Sequence, residues 1–343
     1  MDLISLFVIF INVVGIPLNA IVILIVKRTT SMQSTTNILL CNIALADIFV
    51  VLWQLPYFFR GPGKPEILNE IICKIGRDEI FSAVQALTFT LIAFERYMAL
   101  FKPMSTRLRI NRDYIWHVIA GLWFCTALLF SLPHLIFKRV CYKDSRPVCC
   151  FSFGETSKTI YFGVLEFFFV INVAITSISY LSIVKGMCWD NTICSETVET
   201  KQEANEKRRI VAFLLLLTFI FTLGFIPYIV YKTLTYHFPD IDIKRKQYLG
   251  FPVLTFPVVN PLLYILFNSN YRAGFKKQFR DIKSLARQTW ERIRYWTFLN
   301  HKTLRKGPDR VPSFSDYNRW KLWMNSLRCL VPLFLSFKEN IKL

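Results

Sequence analysis

Seven apolar runs, each long enough to cross a lipid bilayer, follow one another along this chain and are separated by short polar stretches. A transmembrane helix needs about 20 predominantly apolar residues. The runs cover residues 3–26, 36–59, 74–100, 114–137, 159–184, 206–234 and 248–267. The pattern therefore predicts an all-α membrane protein built as a seven-transmembrane helix bundle.

A shorter amphipathic segment follows the seventh run. Tyr271, Phe275 and Phe279 recur every four residues, with basic residues between them. This spacing puts the three rings on one face of a helix that suits the interface of the inner leaflet, and we predict such a helix at about 269–281. The predicted division of the chain is a membrane domain that includes this helix and a basic, largely irregular cytoplasmic tail, at 1–283 and 284–343.

Composition and charge support a membrane protein with a basic tail. The chain is 53% hydrophobic and 16% aromatic, more apolar than ordinary soluble proteins. The basic residues behind its net charge of +19 lie between the apolar runs and accumulate after Asn268, a distribution that argues against nucleic-acid binding. Because anionic lipid attracts such a tail, we predict a multi-pass plasma-membrane protein with an extracellular amino terminus and a cytoplasmic carboxyl tail.

Polar residues and prolines interrupt the runs at depths where contact with lipid would be costly. Asp47 lies inside the second run, and Asn19 and Asn260 are its candidate partners. The third run ends in Glu95-Arg96-Tyr97. Three prolines in the seventh run make a continuous straight helix unexpected, and the carbonyls that they free need partners inside the bundle. These prolines are Pro252, Pro257 and Pro261.

In this order and in these runs, the polar positions resemble those of rhodopsin-like (class A) G-protein-coupled receptors, from about Gly15 to Phe279. The matching residues are Asn19, Leu45-Ala46-Asp47, Glu95-Arg96-Tyr97, Trp123, Phe221, Pro227 and Asn260-Pro261-Leu262-Leu263-Tyr264. The resemblance implies a receptor, not an enzyme, that binds an extracellular ligand and activates a heterotrimeric G protein by outward motion of the sixth helix. It adds arrestin and membrane lipids as candidate partners.

The resemblance also implies roles for individual residues. Arg96 is expected to pair with Glu95 in the closed state and to turn toward Tyr180 and Tyr264 in the open state. The residues assigned to the activation switch are Glu95, Arg96, Tyr97, Tyr180, Phe221, Phe225, Pro227, Asn260, Pro261 and Tyr264. Those assigned to a polar network in the core are Asn19, Asp47, Gln85 and Asn260.

The chain departs from the family pattern at several positions, and some of these departures predict altered properties. Phe225 stands where a tryptophan is usual, and Asn172 stands in place of the usual proline of the fifth helix. Gln85 is bulkier than the usual small hydroxyl residue, which argues against a sodium ion at Asp47. The base of the sixth helix reads Lys207-Arg208-Arg209 where many members have an acidic residue that holds Arg96, which predicts appreciable basal activity.

Cys73 resembles the third-helix end of the extracellular disulfide of the family. Its partner is Cys141, Cys149 or Cys150, and the last two are favoured because they lie closer to the fifth helix. A second bridge between Cys141 and the remaining cysteine is an open alternative. The spacing from Cys73 to Arg96 is about two residues shorter than the family norm, which predicts a remodelled start of the third helix.

The ligand class is narrowed by two positions. Leu254 stands where a retinal pigment has its Schiff-base lysine, so opsin chemistry is excluded. Asp78 matches the ammonium counter-ion of biogenic-amine receptors, but it lies between Arg77 and Glu79 and is better explained as part of an ion pair at the membrane rim. An amine ligand held by Asp78 therefore remains the alternative, not the main interpretation.

A peptide ligand is the main interpretation. The segment 34–40, leading into Leu45-Ala46-Asp47, resembles neuropeptide receptors, and a cysteine-rich second outer loop suggests a β-hairpin lid. The expected basic rim would favour acidic groups on the ligand; its residues are Lys138, Arg139, Lys143, Arg146, Lys244, Arg245 and Lys246. The pocket candidates are Asp78, Phe81, Ser82, Tyr228, Phe225, Gly250 and Leu254.

Two other classes of membrane protein fit less well. A membrane transporter, the remote alternative, would be expected to show internal repeats with broken helices in corresponding positions, and the sequence shows no such symmetry. An enzyme would need ionisable groups clustered at one depth, whereas the four histidines are scattered. The sequence therefore predicts no catalytic residue, no cofactor and no metal site.

Overall fold

The computed structural model describes residues 3–54, 65–74, 79–101, 110, 113–143, 146–152, 154–188, 201–237 and 251–304. Seven long helical segments in this part of the chain correspond to the seven apolar runs. In chain order, these spans are Leu3–Arg28, Thr35–Gln54, Glu79–Phe101, Ile115–Phe137, Glu155–Cys188, Lys201–His237 and Phe251–Phe267. A 3₁₀ turn, Thr30–Met32, joins the first two spans.

The helices have the length and composition that a membrane requires. Within the described residues, the second to sixth spans each contain a stretch long and apolar enough to cross a bilayer. The first span is 26 residues long, and the seventh is described over 17 residues. The predicted all-α seven-transmembrane bundle is confirmed.

The third span lies at the centre of the bundle, in contact with the second, fourth, fifth and sixth spans. Side chains such as Phe89, Ile92 and Leu217 are almost fully buried between the helices. Lipid tails are as apolar as these side chains, so close packing and interhelical hydrogen bonds hold the spans together, not the hydrophobic effect alone. One such bond links Trp123 Nε1 to Asn42 Oδ1 at 2.9 Å.

The fourth span is not a uniform α-helix. It consists of the α-helix Ile115–Thr126, a π-helical turn over Ala127–Ser131 and a final helix Leu132–Phe137. Pro133 has no N–H, and its ring would collide with the carbonyl four residues earlier in a regular helix. The π-helical turn next to Pro133 is wider than an α-helical turn, so the span can continue past the proline.

The seventh span is continuous from Phe251 to Phe267, contrary to our expectation from its prolines. Pro261 has no N–H to donate to the carbonyl of Pro257, four residues earlier. Asn19 Nδ2 donates to that carbonyl at 2.6 Å, so the first span supplies the missing hydrogen bond. The backbones can approach because a Cβ at Gly15 would lie only 3.0 Å from Pro257 Cβ.

The start of the third span falls at residues 75–78, which lie outside the described residues. We expected the span to start at Lys74; the described residues before this gap form a short helix, Glu66–Lys74, and the third span is described from Glu79. Cys73 lies on the short helix and is disulfide-bonded to Cys149, with 5.5 Å between the Cα atoms. The remodelling that we expected at the start of the third helix falls on the undescribed residues 75–78 and stays a prediction.

A β-hairpin follows the fourth span, as suggested for a lid. Strands β1 (Lys138–Lys143) and β2 (Arg146–Phe151) pair antiparallel, with Lys138 opposite Phe151. The disulfide Cys141–Cys150 closes the hairpin across its two strands. Lys138, which we expected on a basic rim, is only 5% exposed.

The last helix is longer than predicted. It runs from Ser269 to Leu304, whereas we expected an irregular tail from Ser284. No Gly or Pro occurs between Lys276 and Leu304, and the segment is rich in Arg, Lys and Leu, which favour helices. The chain forms two compact units, Met1–Gln278 and Phe279–Leu343, so this helix begins in the first unit and continues into the second.

The first turns of this helix belong to the bundle. Asn268 Oδ1 accepts a hydrogen bond from the backbone N–H of Asn270 at 3.0 Å and caps the helix. Tyr271, which we placed in a membrane-facing stripe, is fully buried and donates from its hydroxyl to Asn37 Oδ1 at 3.3 Å. A Cβ on Gly274 would lie 2.5 Å from Ile25 Cγ2, so a glycine allows this close packing.

Candidate functional site

A buried polar network surrounds Asp47 in the middle of the bundle. The Asp47 carboxylate is fully buried and accepts hydrogen bonds from Gln85 Nε2 at 2.7 Å and from Asn260 Nδ2 at 2.9 Å. Each carboxylate oxygen has an amide donor, which offsets the cost of removing the group from water. Asn19, the other expected partner, donates to the carbonyls of Gly15 and Pro257 instead. The predicted four-residue network therefore consists of two separate parts: Asp47 with Gln85 and Asn260, and Asn19 with the two backbone carbonyls.

Arg96 is attached to the second span through a threonine. Arg96 Nε lies 2.7 Å from Glu95 Oε2, and Arg96 Nη2 donates to Thr36 Oγ1. The Thr36 hydroxyl donates in turn to Glu95 Oε2 at 3.0 Å. One side chain of the second span therefore bridges both members of the ion pair, and charge-assisted hydrogen bonds of this kind are stronger than neutral ones.

The two tyrosines expected to receive Arg96 make other contacts. The Tyr180 hydroxyl lies 3.2 Å from Thr218 Oγ1, which links the fifth span to the sixth. Tyr264 packs on Tyr271 with 5.3 Å between ring centroids. In the described part of the chain, Arg96 hydrogen-bonds to Thr36, pairs with Glu95 and makes no hydrogen bond to either tyrosine, which is the arrangement that we predict for the closed state. Tyr97 packs on Phe101, with 5.0 Å between ring centroids.

Asn172 forms a polar junction between the third and fifth spans. Thr90 Oγ1 lies 3.0 Å from Asn172 Oδ1 and 3.0 Å from Thr176 Oγ1. Asn172 Nδ2 donates to the carbonyl of Phe168, one turn earlier in its own helix, at 2.7 Å. The residue that replaces the usual proline therefore attaches the fifth span to the third.

An aromatic stack connects four spans around Phe225. Its ring stacks on Phe169 of the fifth span with 4.8 Å between centroids and on Phe221 with 5.2 Å between centroids. Phe221 also contacts Phe89 of the third span and Phe256 of the seventh, at 4.5 and 5.0 Å between centroids. Aromatic pairs at these distances contribute about 0.5–1.5 kcal/mol each beyond area burial. A displacement of Phe225 would therefore alter ring packing on all four spans.

A cavity of about 60 Å³ lies against this stack, between the third, fourth, fifth and sixth spans. By the same kind of measure about 10–15 Å³ holds one water, so the cavity has room for a few waters or one small chemical group. Its lining residues are Ser82, Ala83, Ala86, Phe130, Phe162, Leu165, Glu166, Phe168, Phe169, Phe225, Tyr228 and Ile229. Among the described residues of this lining, Glu166 is the one that carries a charge.

Three of the seven predicted pocket residues line the cavity, namely Ser82, Phe225 and Tyr228. Phe81 does not, because a step of one residue rotates a side chain by about 100° around a helix. Its ring packs on Phe49 and Trp123 with centroid distances of 5.6 and 6.1 Å. Leu254 is half-buried in the seventh span and outside this lining. Asp78 and Gly250 lie outside the described residues.

Sequence reasoning missed Glu166, Thr36 and the Thr90–Asn172 contact. Glu166 Oε1 accepts a hydrogen bond from Thr233 Oγ1 at 2.6 Å, across the fifth and sixth spans. The sequence did contain a signal for Glu166, because it is an ionisable residue in the middle of an apolar run. Such residues in membrane spans are usually functional. Thr36 gave no comparable signal, because a threonine within an apolar helix is common.

Comparison with known proteins defines the class of this chain. Residues 18–264 match the family described as 7 transmembrane receptor (rhodopsin family). The chain belongs to this family. It is a rhodopsin-family G-protein-coupled receptor and a multi-pass protein of the plasma membrane, and not an enzyme.

Several curated receptors are similar to the chain over most of its length. The neuromedin-K receptor of Mus musculus is 26% identical over 313 residues, which cover 88% of this chain and 67% of that receptor. The substance-P receptor of Homo sapiens is 27% identical over 78% of this chain and 68% of that receptor. The galanin receptor 2b of Danio rerio is 27% identical, with coverage of 78% and 72%. The chain spans about two thirds of the length of these relatives.

Proposed function

We propose that this receptor binds an extracellular peptide and activates a heterotrimeric G protein by outward motion of its sixth span about Pro227. The similar receptors carry the names of neuromedin K, substance P and galanin, and the amine alternative gains no support from them. The single structural observation that carries the proposal is the position of the cavity: Phe225 and Tyr228, on either side of Pro227, both line it. A bound group there would act directly on the segment that has to move.

The proposed mechanism is a change between two packed arrangements. In the closed arrangement Glu95 and Thr36 hold Arg96, and the aromatic stack fixes the sixth span. A peptide group that displaces Phe225 would loosen the stack and let the base of the sixth span move away. Arg96 would then turn toward Tyr180 and Tyr264, with Asn260 and Pro261 part of the same switch. The base of the sixth span has Lys207-Arg208-Arg209 where many family members have an acidic residue that holds Arg96, which supports appreciable basal activity.

The proposed orientation has the amino terminus outside and the tail inside. The helical tail supports a membrane role, because Phe279, Ile282 and Trp290 are exposed among basic residues such as Arg280 and Arg287. Basic amphipathic helices bind the anionic surface of the cytoplasmic leaflet. Arrestin is a further proposed partner at this side, since the basic inner surface suits an acidic partner.

The experiment is guanine-nucleotide exchange on added G protein, in membranes that contain the receptor. An acidic-peptide pool and an amine pool are applied in parallel to the natural sequence, to Arg96→Ala and to Asp78→Asn. We expect peptides to accelerate exchange in the natural sequence and in Asp78→Asn but not in Arg96→Ala. A response to amines that Asp78→Asn abolishes would overturn the peptide proposal, as would identical exchange in the natural sequence and Arg96→Ala under every condition.

A further inference from the structure

The last helix is attached to the second span beside the residue that bridges the Arg96 ion pair. The Tyr271 hydroxyl donates to Asn37 Oδ1 at 3.3 Å. Asn37 directly follows Thr36, whose hydroxyl bonds to both members of that pair. We propose that the Tyr271 hydroxyl is a positioning group of the activation switch: it holds Thr36 in place through Asn37 and thereby stabilises the closed state. The inference rests on the proposed function in that opening of the switch requires the release of Arg96.

Asn37 is held by three hydrogen bonds at the start of the second span. Its amide nitrogen donates to the carbonyl of Met32 at 2.8 Å, in the turn that joins the first two spans. Its backbone N–H donates to Ser34 Oγ at 3.3 Å, and its Oδ1 accepts from Tyr271. Thr36 lies in the same helical turn, so a displacement of Asn37 also displaces the Thr36 hydroxyl. Because hydrogen bonds weaken steeply with poor geometry, this displacement would weaken the bridge to the ion pair.

Tyr271 lies on a helical segment that is itself anchored to the bundle. Its side chain is fully buried. On one side of it along the helix, Gln278 Oε1 accepts a hydrogen bond from Arg28 Nη1 of the first span at 3.0 Å. Next to it, Arg272 Nη1 donates to the carbonyl of Leu266 in the seventh span at 3.0 Å. Because the first and seventh spans hold this segment, a hydrogen bond from the Tyr271 hydroxyl can restrain the second span.

The ring and the hydroxyl of Tyr271 have separate roles. The ring packs on Tyr264 with 5.3 Å between centroids, and a phenylalanine ring would fill the same space. Among the described residues, the hydrogen bond of the hydroxyl is the one to Asn37. A buried hydroxyl is costly unless it is hydrogen-bonded, so this bond offsets the cost of its burial. A change from tyrosine to phenylalanine would therefore remove the connection to the second span and keep the packing.

Tyr264 links Tyr271 to the sixth span. The Tyr264 ring meets Phe213 of the sixth span edge-on, with 6.1 Å between centroids. Outward motion of the sixth span would withdraw Phe213 from Tyr264. In the proposed open state, a new contact with Arg96 would also draw the Tyr264 ring away from Tyr271. The ring contact of Tyr271 is thus sensitive to the same motion that its hydroxyl restrains.

The test is ligand-free guanine-nucleotide exchange on added G protein, in membranes that contain the full-length receptor. The variants are Tyr271→Phe, Thr36→Val and the two combined, with Thr289→Val as the matched control. Thr289 also lies on the last helix, but its hydroxyl donates to the carbonyl of Leu285 within that helix. We expect Tyr271→Phe to raise basal exchange about two- to tenfold, the range that corresponds to one net hydrogen bond. Thr289→Val should leave basal exchange unchanged.

The combined variant separates a positioning role from a general weakening of the fold. Because Tyr271 acts through Thr36, Tyr271→Phe should add little to the basal exchange of Thr36→Val. A purely structural role would lower the melting temperature without raising basal exchange. Two results would overturn the proposal: basal exchange in Tyr271→Phe that does not exceed that of the natural sequence, or an undiminished effect of Tyr271→Phe in the Thr36→Val background.

A double-mutant cycle on the melting temperature, in detergent and without G protein, tests the connection independently of the proposed function. We expect Tyr271→Phe and Thr36→Val to be non-additive, because each weakens the same connection. Additive losses would rule out a connection through Asn37. If no variant, including Arg96→Ala, changes nucleotide exchange, the proposed G-protein activation fails as well, while the melting cycle still decides whether Tyr271 and Thr36 are connected.

Discussion

Asn19 donates a hydrogen bond to the carbonyl of Pro257, over a distance of 2.6 Å, at the point where the seventh span cannot make its own. Pro261 occupies the position whose N–H would normally serve that carbonyl. The asparagine of the first span thus completes the backbone of the seventh. This relationship explains how a helix with three prolines remains continuous.

The relationship predicts that Asn19 and Pro261 are energetically coupled. Asn19→Ala removes the donor and should destabilise the receptor by about 1 kcal/mol. In a Pro261→Ala background the backbone N–H of the new alanine can serve the Pro257 carbonyl, so Asn19→Ala should then cost less. A double-mutant cycle on thermal unfolding measures the difference. Strictly additive effects of the two substitutions would contradict this account.

Gln85 and Asp47 predict the response of the receptor to sodium. The Gln85 amide donates to Asp47 Oδ1, so the carboxylate is already satisfied on that side. The melting temperature of the natural sequence should therefore be the same in sodium chloride and in choline chloride at equal ionic strength. Gln85→Ser removes the amide and opens space next to Asp47, and a sodium-dependent stabilisation should appear. Asp47→Asn in the same variant serves as the control and should abolish it.

Thr36 should restrain basal activity. Thr36→Val keeps the shape of the side chain but removes the bridge to Glu95 and Arg96, which are both on the third span. A loss of about 1.4 kcal/mol from the closed state would raise the open fraction about tenfold while that fraction is small. Ligand-free nucleotide exchange should rise accordingly.

The neighbouring substitution Thr35→Val is a matched control for Thr36→Val. The Thr35 hydroxyl donates to the carbonyl of Ile110 at 3.5 Å and makes no hydrogen bond to Arg96 among the described residues, so basal exchange should remain unchanged. Adding Arg96→Ala to Thr36→Val should silence the receptor. If Thr36→Val lowers basal exchange, the contact with Thr36 supports the open state and our assignment of the structure to the closed state is wrong.

Gly224 should be intolerant of any side chain. A Cβ at this position would lie 2.7 Å from Phe256 Cζ and 2.9 Å from Phe256 Cε1, where the sixth and seventh spans touch. Gly224→Ala should therefore destabilise the receptor by about 1–3 kcal/mol, as overpacking does. Gly163→Ala is the matched control, since a Cβ there meets nothing within 4 Å. Phe256→Leu should partly rescue Gly224→Ala in the same melting measurement.

Much of the architecture could be predicted because membrane constraints act locally along the chain. An apolar run of about 20 residues forms a helix in lipid whatever its neighbours are, since every backbone group must be satisfied internally. Polar residues such as Asp47 and Arg96 stand out against those runs by themselves. The positions of the spans and the family resemblance followed from these local signals. The length of the last helix did not, because the end of a helix depends on contacts beyond the local pattern.

The amino-acid sequence by itself thus determined the seven spans, the membrane class and the polar positions of the switch. Only the tertiary structure decided which side chains meet. Asn19 donates to the carbonyl of Pro257 and not to Asp47. Thr36 hydrogen-bonds to both Glu95 and Arg96. Ser82 lines the cavity, whereas the neighbouring Phe81 does not. The physical reason is that partners on different helices are selected by the rotation and tilt of each span, which packing between neighbours sets. The rotation and tilt of each span cannot be deduced from the sequence pattern of that span alone.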